Sequence, residues 1–316
     1  MSTRLLWRDL PVHVREAATA WFGTDVAHEA SQPSGFSPGL ASRLTLGDGR
    51  RVFVKAVGSE RNPDSPRMYR RELAVMRYLP EAAPAPRLLW AHDDGDWVLL
   101  VLEDVDGHEP ALPWRADDLD RVLEALGRTA TLLTPAPADA PSLVRDIEET
   151  WHGWRSLATL AGPGALAALD PWAASQGDRL VGLELAAPAA ARGNTLLHGD
   201  IRADNLLLTA SGEVVVVDWP HAAVGAAWCD VLFLLPSAVA AGGVDPERAW
   251  ARFGPARDAA PADVDAVLAG LAGYFLYSST LPAPKNVPGV RRFQAQQGHA
   301  ALAWLRQRLE QPRYRQ

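Results

Sequence analysis

The chain has 316 residues, 48% hydrophobic and 22% charged, which is enough for one or two globular domains with a sizeable core. A net charge of −7 argues against a broad basic surface for nucleic acid, and the single cysteine, Cys229, excludes an internal disulfide and a cysteine-based zinc cluster. The longest apolar run, residues 231–241, is too short to cross a membrane, and residues 1–14 lack the apolar core of a signal peptide. We therefore expect a cytoplasmic protein that binds neither nucleic acid nor membrane.

The first hundred residues are predicted to form a small sheet with one inserted helix. Helical spacing of apolar residues covers residues 66–79, and the turn around Gly47-Asp48-Gly49 is typical of a hairpin. The predicted strands are residues 40–46, 51–57, 86–91 and 97–102.

The rest of the chain is predicted to be mainly helical, with one strand-rich island in its middle. The predicted helices are residues 117–134, 142–160, 171–191 and the region from residue 230 onwards. The predicted strands of the island are residues 195–197, 205–208 and 214–217. A β-rich part followed by a larger helical part indicates an α+β protein.

The strongest motif places Asp200 directly after His198 and Gly199, with Asn205 five residues later and Asp218 at the end of an apolar strand. Phosphoryl transfer needs a carboxylate that accepts the proton of the nucleophile, and oxygen ligands that hold Mg²⁺ against the phosphates. These three residues supply such groups. Each one alone could be a turn residue, a cap or a strand end, so it is the ordered set that favours a phosphotransfer site.

This set resembles the catalytic loop and the metal-binding aspartate of the aminoglycoside phosphotransferase and choline kinase-like family, whose fold is similar to that of protein kinases. The resemblance implies a bilobal α+β fold, with a small β-rich nucleotide-binding lobe over residues 1–103 and a larger helical catalytic and substrate lobe over residues 104–316. It also implies an enzyme that moves the γ-phosphate of ATP, with GTP as the alternative, to a hydroxyl of an antibiotic or metabolite. Asp200 is then the catalytic base, and Asn205 and Asp218 bind Mg²⁺.

Lys55 is one of only two lysines in the chain and closes an apolar strand. In protein kinases, a strand lysine contacts the α- and β-phosphates and pairs with a glutamate of the following helix. The resemblance therefore implies that Lys55 binds the nucleotide and that Glu72 is its ion-pair partner. Glu72 also follows Arg71 on the predicted helix, so a surface charge ladder is the alternative.

Two further segments resemble parts of the family's nucleotide site. The segment 102–107 resembles the hinge between the lobes, where adenine would bond to the Glu103 carbonyl and the Val105 N–H. The loop 34–39 stands where the nucleotide loop is expected, and it makes Ser37 a candidate for nucleotide contact. That loop lacks the complete glycine pattern, so an ordinary connection is the alternative.

Other enzyme classes fit the sequence less well. Residues 35–39 match the nucleophile elbow Gly-x-Ser-x-Gly, but Pro38 has no N–H to donate to an oxyanion, and a strand follows instead of a helix. Neither lysine follows a glycine, which excludes a Walker-type phosphate loop. A catalytically weak kinase-fold module that binds nucleotide remains as an alternative function.

The acceptor is predicted only by class. Residues 110–190 contain eleven acidic residues and six arginines, an excess that favours a small hydroxylated acceptor with a positive charge. Solvated helix faces would produce the same excess, so a neutral acceptor remains open. The sequence gives no indication of the oligomeric state.

Overall fold

The structure, a computed structural model, describes residues 4–32, 38–61, 65–160, 164–284, 287 and 289–310. The chain forms two compact units. The first unit consists of residues 1–109, 204–221 and 283–289, and the second consists of residues 110–203, 222–282 and 290–316. The lobe boundary predicted after residue 103 stays a prediction.

Strands dominate the first unit and helices the second. The strands are β1 (Val26–Ser31), β2 (Leu40–Leu46), β3 (Arg51–Gly58), β4 (Leu88–Asp93), β5 (Trp97–Glu103), β6 (Gly107–His108), β7 (Thr195–Leu197), β8 (Leu206–Thr209), β9 (Val214–Val216) and β10 (Ala223–Gly225). The helices are α1 (Val12–Phe22), α2 (Ser65–Tyr78), α3 (Ala116–Leu132), α4 (Leu143–Thr150), α5 (Gly153–Leu160), α6 (Ala165–Leu169), α7 (Pro171–Ser175), α8 (Gly177–Ala190), α9 (Cys229–Ala241), α10 (Pro246–Arg252), α11 (Pro261–Thr280) and α12 (Val290–Glu310).

The main sheet of the first unit has the order β1-β2-β3-β5-β4, with every neighbouring pair antiparallel. Val52, Val54 and Ala56 of β3 join the buried cluster that includes α1. Because side chains alternate along a strand, Phe53 and Lys55 face the other side of the sheet. Helix α2 packs against β3, β4 and β5. The alternation therefore turns Lys55 towards α2.

A second sheet in this unit has the order β6-β8-β9 and is also antiparallel. Leu206 pairs with Val216, so the residues that flank this pair on the two strands lie next to each other. The Val217 N–H accordingly donates to the Asn205 carbonyl at 2.9 Å. This hydrogen bond holds Asn205 beside Val217, so the two predicted metal ligands, Asn205 and Asp218, lie close together in space.

The second unit is built around α11, which packs against α5, α8 and α12. A side-chain carbon at Gly273 would collide with the indole of Trp154, and the Trp154 Nε1–H donates to the Ala269 carbonyl at 2.7 Å. Trp154 is 1% exposed, so it is a core residue. The absence of a side chain at Gly273 allows α5 and α11 to pack this closely.

The predicted elements agree with the structure where periodicity is strong. The hairpin β2–β3 and helix α2 lie where the sequence predicts them. The predicted helix 142–160 is instead two helices, because residues 151 and 152 leave the helical conformation. No helix among the described residues is long and apolar enough to span a membrane.

Candidate active site

Lys55 is the centre of an ion triad in the first unit. Its ammonium lies 2.5 Å from Glu72 Oε2 on α2 and 2.5 Å from Asp218 Oδ1, which follows β9. Lys55 is 7% exposed and Glu72 1%, whereas the Asp218 side chain is 42% exposed. Burial excludes the alternative in which Glu72 belongs to a surface charge ladder.

The triad carries one positive and two negative charges. Burial by itself lowers the pKa of the Lys55 ammonium, but the charges of Asp218 and Glu72 outweigh this effect and hold that pKa well above its ordinary value. Burial raises the pKa of the Glu72 carboxyl, and Lys55 opposes the rise. One ammonium therefore pairs with two carboxylates. The triad has a net negative charge, and Asp218 is its solvent-exposed member.

Asp218 has an unusual backbone conformation. Its φ angle is +69°, in the left-handed region that residues other than glycine seldom adopt. Its neighbours hold it there: the Trp219 Nε1–H donates to the Val216 carbonyl at 2.9 Å, and the Trp219 backbone N–H donates to the Glu72 carboxylate. The strained conformation aims the Asp218 carboxylate at Lys55.

One cavity of the first unit brings together the predicted nucleotide and metal residues that the structure describes. The predicted residues that line it are Lys55, Glu72, Glu103, Val105, Asn205 and Asp218. Ser37 lies outside the described residues. The carboxylate of Asp218 and the amide oxygen of Asn205 are hard donors of the kind that Mg²⁺ prefers, so the donor set fits that ion. Among the described residues, no group of three or more His, Cys, Asp or Glu side chains could hold a metal ion.

Several residues with no predicted role also line this cavity, among them Phe53, Arg43 and Asp104. Phe53 precedes Lys55 by two positions on β3, so strand alternation alone could have placed it in the same cavity. The Asp104 carboxylate is buried and forms ion pairs with Arg43 at 3.3 Å and with Arg51 at 2.6 Å. These ion pairs link Asp104 to β2 and β3, and no local sequence signal indicated them.

Asp200 belongs to the second unit, where the loop that carries it follows β7. The Asp230 carboxylate, in the first turn of α9, accepts the His198 and Gly199 N–H groups, both at 2.9 Å. Gly199 has a φ of +80°, a conformation that glycine adopts without strain. Burial raises the pKa of Asp230, and the His198 charge and these hydrogen bonds oppose the rise. Asp230 therefore fixes the backbone immediately before Asp200.

Arg202 forms an ion pair with Asp200 that the sequence analysis did not predict. Its Nη1 lies 2.6 Å from Asp200 Oδ2, and its guanidinium stacks over the Phe293 ring with 5.3 Å to the ring centroid. The Arg202 side chain is held at both contacts, so it restricts the orientation of the Asp200 carboxylate.

Residues 33–272 match the family described as the phosphotransferase enzyme family. A comparison with curated proteins gives no match.

Solved structures with a similar fold include several phosphotransferases. Choline kinase LicA from Streptococcus pneumoniae is 12% identical over 92% of this chain and 98% of its own, with a TM-score of 0.59. The aminoglycoside phosphotransferase APH(4)-Ia, in a ternary complex with ADP and hygromycin B, is 15% identical over 93% and 98%, with a TM-score of 0.60. The GDP and kanamycin complex of APH(2″)-IIia is 14% identical over 94% and 98%, with a TM-score of 0.60. These likenesses confirm the α+β, protein-kinase-like fold predicted from the sequence.

Proposed function

Since the chain belongs to the phosphotransferase enzyme family, we propose that it moves the γ-phosphate of ATP to a hydroxyl group of a small molecule, with Mg²⁺ bound at the site. The observation that carries this proposal is the Lys55–Glu72–Asp218 triad in a cavity that Asn205 also lines. A buried lysine held between two carboxylates, beside hard oxygen donors, is suited to polyphosphate and a divalent cation.

The cavity offers separate environments for the parts of a nucleotide. Phe53, Leu102 and Leu207 provide apolar walls for the base. Glu103 and Val105 line the same cavity, and their backbone groups would form hydrogen bonds to the base edge. The Lys55 ammonium, held by Glu72 and Asp218, belongs to a residue that lines the same cavity, and it would contact the phosphates there. Similar proteins have been solved with ADP and with GDP, so we propose ATP as the donor and GTP as the alternative.

Asn205 and Asp218 would hold Mg²⁺. When bound, the ion neutralises phosphate charge and orients the phosphates. The excess negative charge of the triad favours a cation at this position, because Asp218 shares Lys55 with Glu72 and remains partly exposed. Asn205 is 3% exposed, and its backbone carbonyl accepts from the Val217 N–H, so its backbone is fixed close to Asp218. Its side-chain amide would supply a neutral oxygen.

Asp200 is proposed as the catalytic base. The acceptor oxygen forms a bond to the γ-phosphorus while the bond between that phosphorus and the β-γ bridging oxygen breaks, and the hydroxyl proton passes to the Asp200 carboxylate. The products are a phosphate ester and ADP. Asp230 and Arg202 support this role, since one fixes the backbone before Asp200 and the other orients its carboxylate.

The acceptor is proposed to be a small hydroxylated molecule that is neutral or positively charged. The support is electrostatic: the chain carries a net charge of −7, and acidic residues outnumber arginines over residues 110–190. Similar proteins include an aminoglycoside phosphotransferase solved with hygromycin B and a choline kinase.

A panel assay separates this function from a nucleotide-binding module without turnover. ATP consumption is measured with amino alcohols, aminocyclitols and sugars, with Asp200→Asn as the matched inactive control. We expect at least one alcohol to raise ATP consumption in the wild type and not in the variant. Calorimetric binding of MgATP without consumption for any alcohol would favour the binding module, and the absence of nucleotide binding would contradict both functions.

A further inference from the structure

Aromatic side chains of the second unit form a continuous series of ring contacts. The centroid distances are 6.0 Å for Phe233–Trp151, 6.3 Å for Trp151–Tyr274, 5.3 Å for Tyr274–Phe275 and 6.4 Å for Phe275–Phe293. The five rings come from α9, α11, α12 and the residue that ends α4. We refer to them as the aromatic surface.

The aromatic surface is only partly covered. Trp151 is 9% exposed, and the other four side chains are half-buried. Trp154, by contrast, contacts the same helix α11 and is buried completely in the core. Partly exposed aromatic rings that contact one another form a patch of the kind that can bind a ligand.

The aromatic surface reaches the proposed base, Asp200. The Phe293 ring lies under the guanidinium of Arg202, and that guanidinium is 2.6 Å from the Asp200 carboxylate. Burial raises the pKa of the Tyr274 phenol, and the negative charge of Asp200 raises it further. Such an electrostatic effect requires the phenol and the carboxylate to be close. Contacts through Arg202 thus link Phe293 to Asp200, and the direction of the Tyr274 pKa shift agrees with this placement.

Positively charged side chains lie near these rings. Arg291 donates to the Pro282 carbonyl and to Gln294 Oε1, so its described partners are neutral oxygens. Its charge lowers the pKa of Tyr274, which places it at the same surface. A polycationic acceptor would meet both Arg291 and Arg202 here. The surface therefore suits an apolar ring better than a ring that carries several ammonium groups.

We propose that the aromatic surface binds the phosphate acceptor, and that the acceptor is an alcohol with an aromatic or flat apolar ring close to its hydroxyl group. The inference rests on the proposed function, in which the acceptor hydroxyl meets Asp200. A molecule in that position has its neighbouring atoms within a few ångströms of Asp200, where the rings lie. Ring-on-ring contact adds to the affinity by about 2- to 10-fold beyond the area buried.

A matched pair of acceptors tests the inference. 2-(Benzylamino)ethanol and 2-(methylamino)ethanol share the same hydroxyl and the same amine charge and differ only by the aromatic ring. We expect kcat/KM for the benzyl compound to exceed that for the methyl compound by about 10-fold or more, because the ring contacts and the buried apolar area both contribute. 2-Deoxystreptamine serves as the polar-ring comparison and should be the poorest of the three.

Substitutions on α11 and α12 locate the effect. Tyr274→Leu and Phe293→Leu should lower the benzyl-to-methyl ratio of kcat/KM several-fold. Tyr277→Leu is the matched control, since Tyr277 is a half-buried tyrosine of the same helix, and among the described residues its ring contact is with His152. Its ratio should equal that of the wild type. A variant that is merely damaged would lose both activities equally and leave the ratio unchanged, which would contradict the proposal.

The remaining outcomes separate this inference from the proposed function. Turnover of 2-deoxystreptamine or the methyl compound that equals or exceeds turnover of the benzyl compound would overturn the aromatic acceptor and leave the phosphotransferase standing. No turnover of any of the three would also overturn it, and MgATP calorimetry would then judge the proposed function independently.

Discussion

Replacing Lys55 with methionine removes the only positive charge of the triad and keeps most of the side-chain volume. Two carboxylates are then left facing each other without their shared ammonium. Asp218 is partly exposed and can be hydrated, whereas Glu72 is 1% exposed and cannot. The cost of the substitution therefore arises mainly at Glu72.

Removing one partner of a buried ion pair costs about 3–5 kcal/mol. We expect the free energy of unfolding to fall by that amount at neutral pH. Proteins of this kind have stabilities of about 5–15 kcal/mol, so the variant should still fold while unfolding at a clearly lower urea concentration. The double variant Lys55→Met/Glu72→Gln is the control, because it removes the unpaired buried charge as well, and it should recover a large part of the loss.

The pH dependence follows from the direction of the pKa shifts. Glu72 has a pKa raised by burial, and without Lys55 that pKa rises further. A carboxyl with a raised folded-state pKa contributes stability below its unfolded-state pKa and loses it as the pH rises through the folded-state value. The loss in free energy of unfolding caused by Lys55→Met should therefore become smaller as the pH falls from about 8 to about 5. Lys55 itself adds no pH dependence between about pH 5 and about pH 8, because its raised pKa lies above this range.

Urea unfolding of the wild type, the single variant and the double variant at both pH values measures these differences. If Lys55→Met unfolds at the wild-type urea concentration at both pH values, the ion triad does not stabilise the fold. If the loss in free energy of unfolding does not change with pH, the unpaired Glu72 carboxylate is not its cause.

Three further predictions concern the remaining site residues. Asp200→Asn should keep MgATP affinity in calorimetry and lower turnover by about 10²- to 10⁴-fold, and turnover within a few-fold of wild type would remove Asp200 from the base role. Asp218→Ala should abolish most of the Mg²⁺ dependence of nucleotide affinity and Asn205→Ala less of it, because only Asp218 is anionic; equal Mg²⁺ dependence in Asp218→Ala and wild type would contradict this assignment. Asp230→Ala leaves two backbone N–H groups without their acceptor, so it should cost about 1–3 kcal/mol for each of them in urea unfolding and also lower turnover. Wild-type stability together with wild-type turnover would show that Asp230 does not support the loop.

The sequence predicted those parts of the site whose signal is local. Lys55 was conspicuous because lysine is nearly absent, and Asp200, Asn205 and Asp218 form an ordered motif with recognisable spacing. The placement of Lys55, Asn205 and Asp218 in one cavity agrees with that motif. Their roles stay predictions until the variants are measured.

Other features depend on contacts between distant segments and had no local signal. The aromatic surface draws on residues 151, 233, 274, 275 and 293, so no window of the sequence contains it. Helix α1 was also missed, although Val14, Ala18 and Phe22 recur every four residues and are all buried. The sequence around α1 has only a weak apolar stripe, and its helical character becomes evident when the sheet against which it packs is known.

The path of the chain through the first unit has a consequence for its synthesis. Residues 204–221 belong to this unit, but residues 110–203 must be translated before them. At about 5–20 residues per second, that intervening stretch takes roughly 5–20 s. During this time β6 lacks its partner strand β8, and the Lys55–Glu72 pair lacks Asp218. The nascent first unit can assemble its five-stranded sheet early, yet it gains the residues proposed to hold the metal only after about two thirds of the chain has left the ribosome.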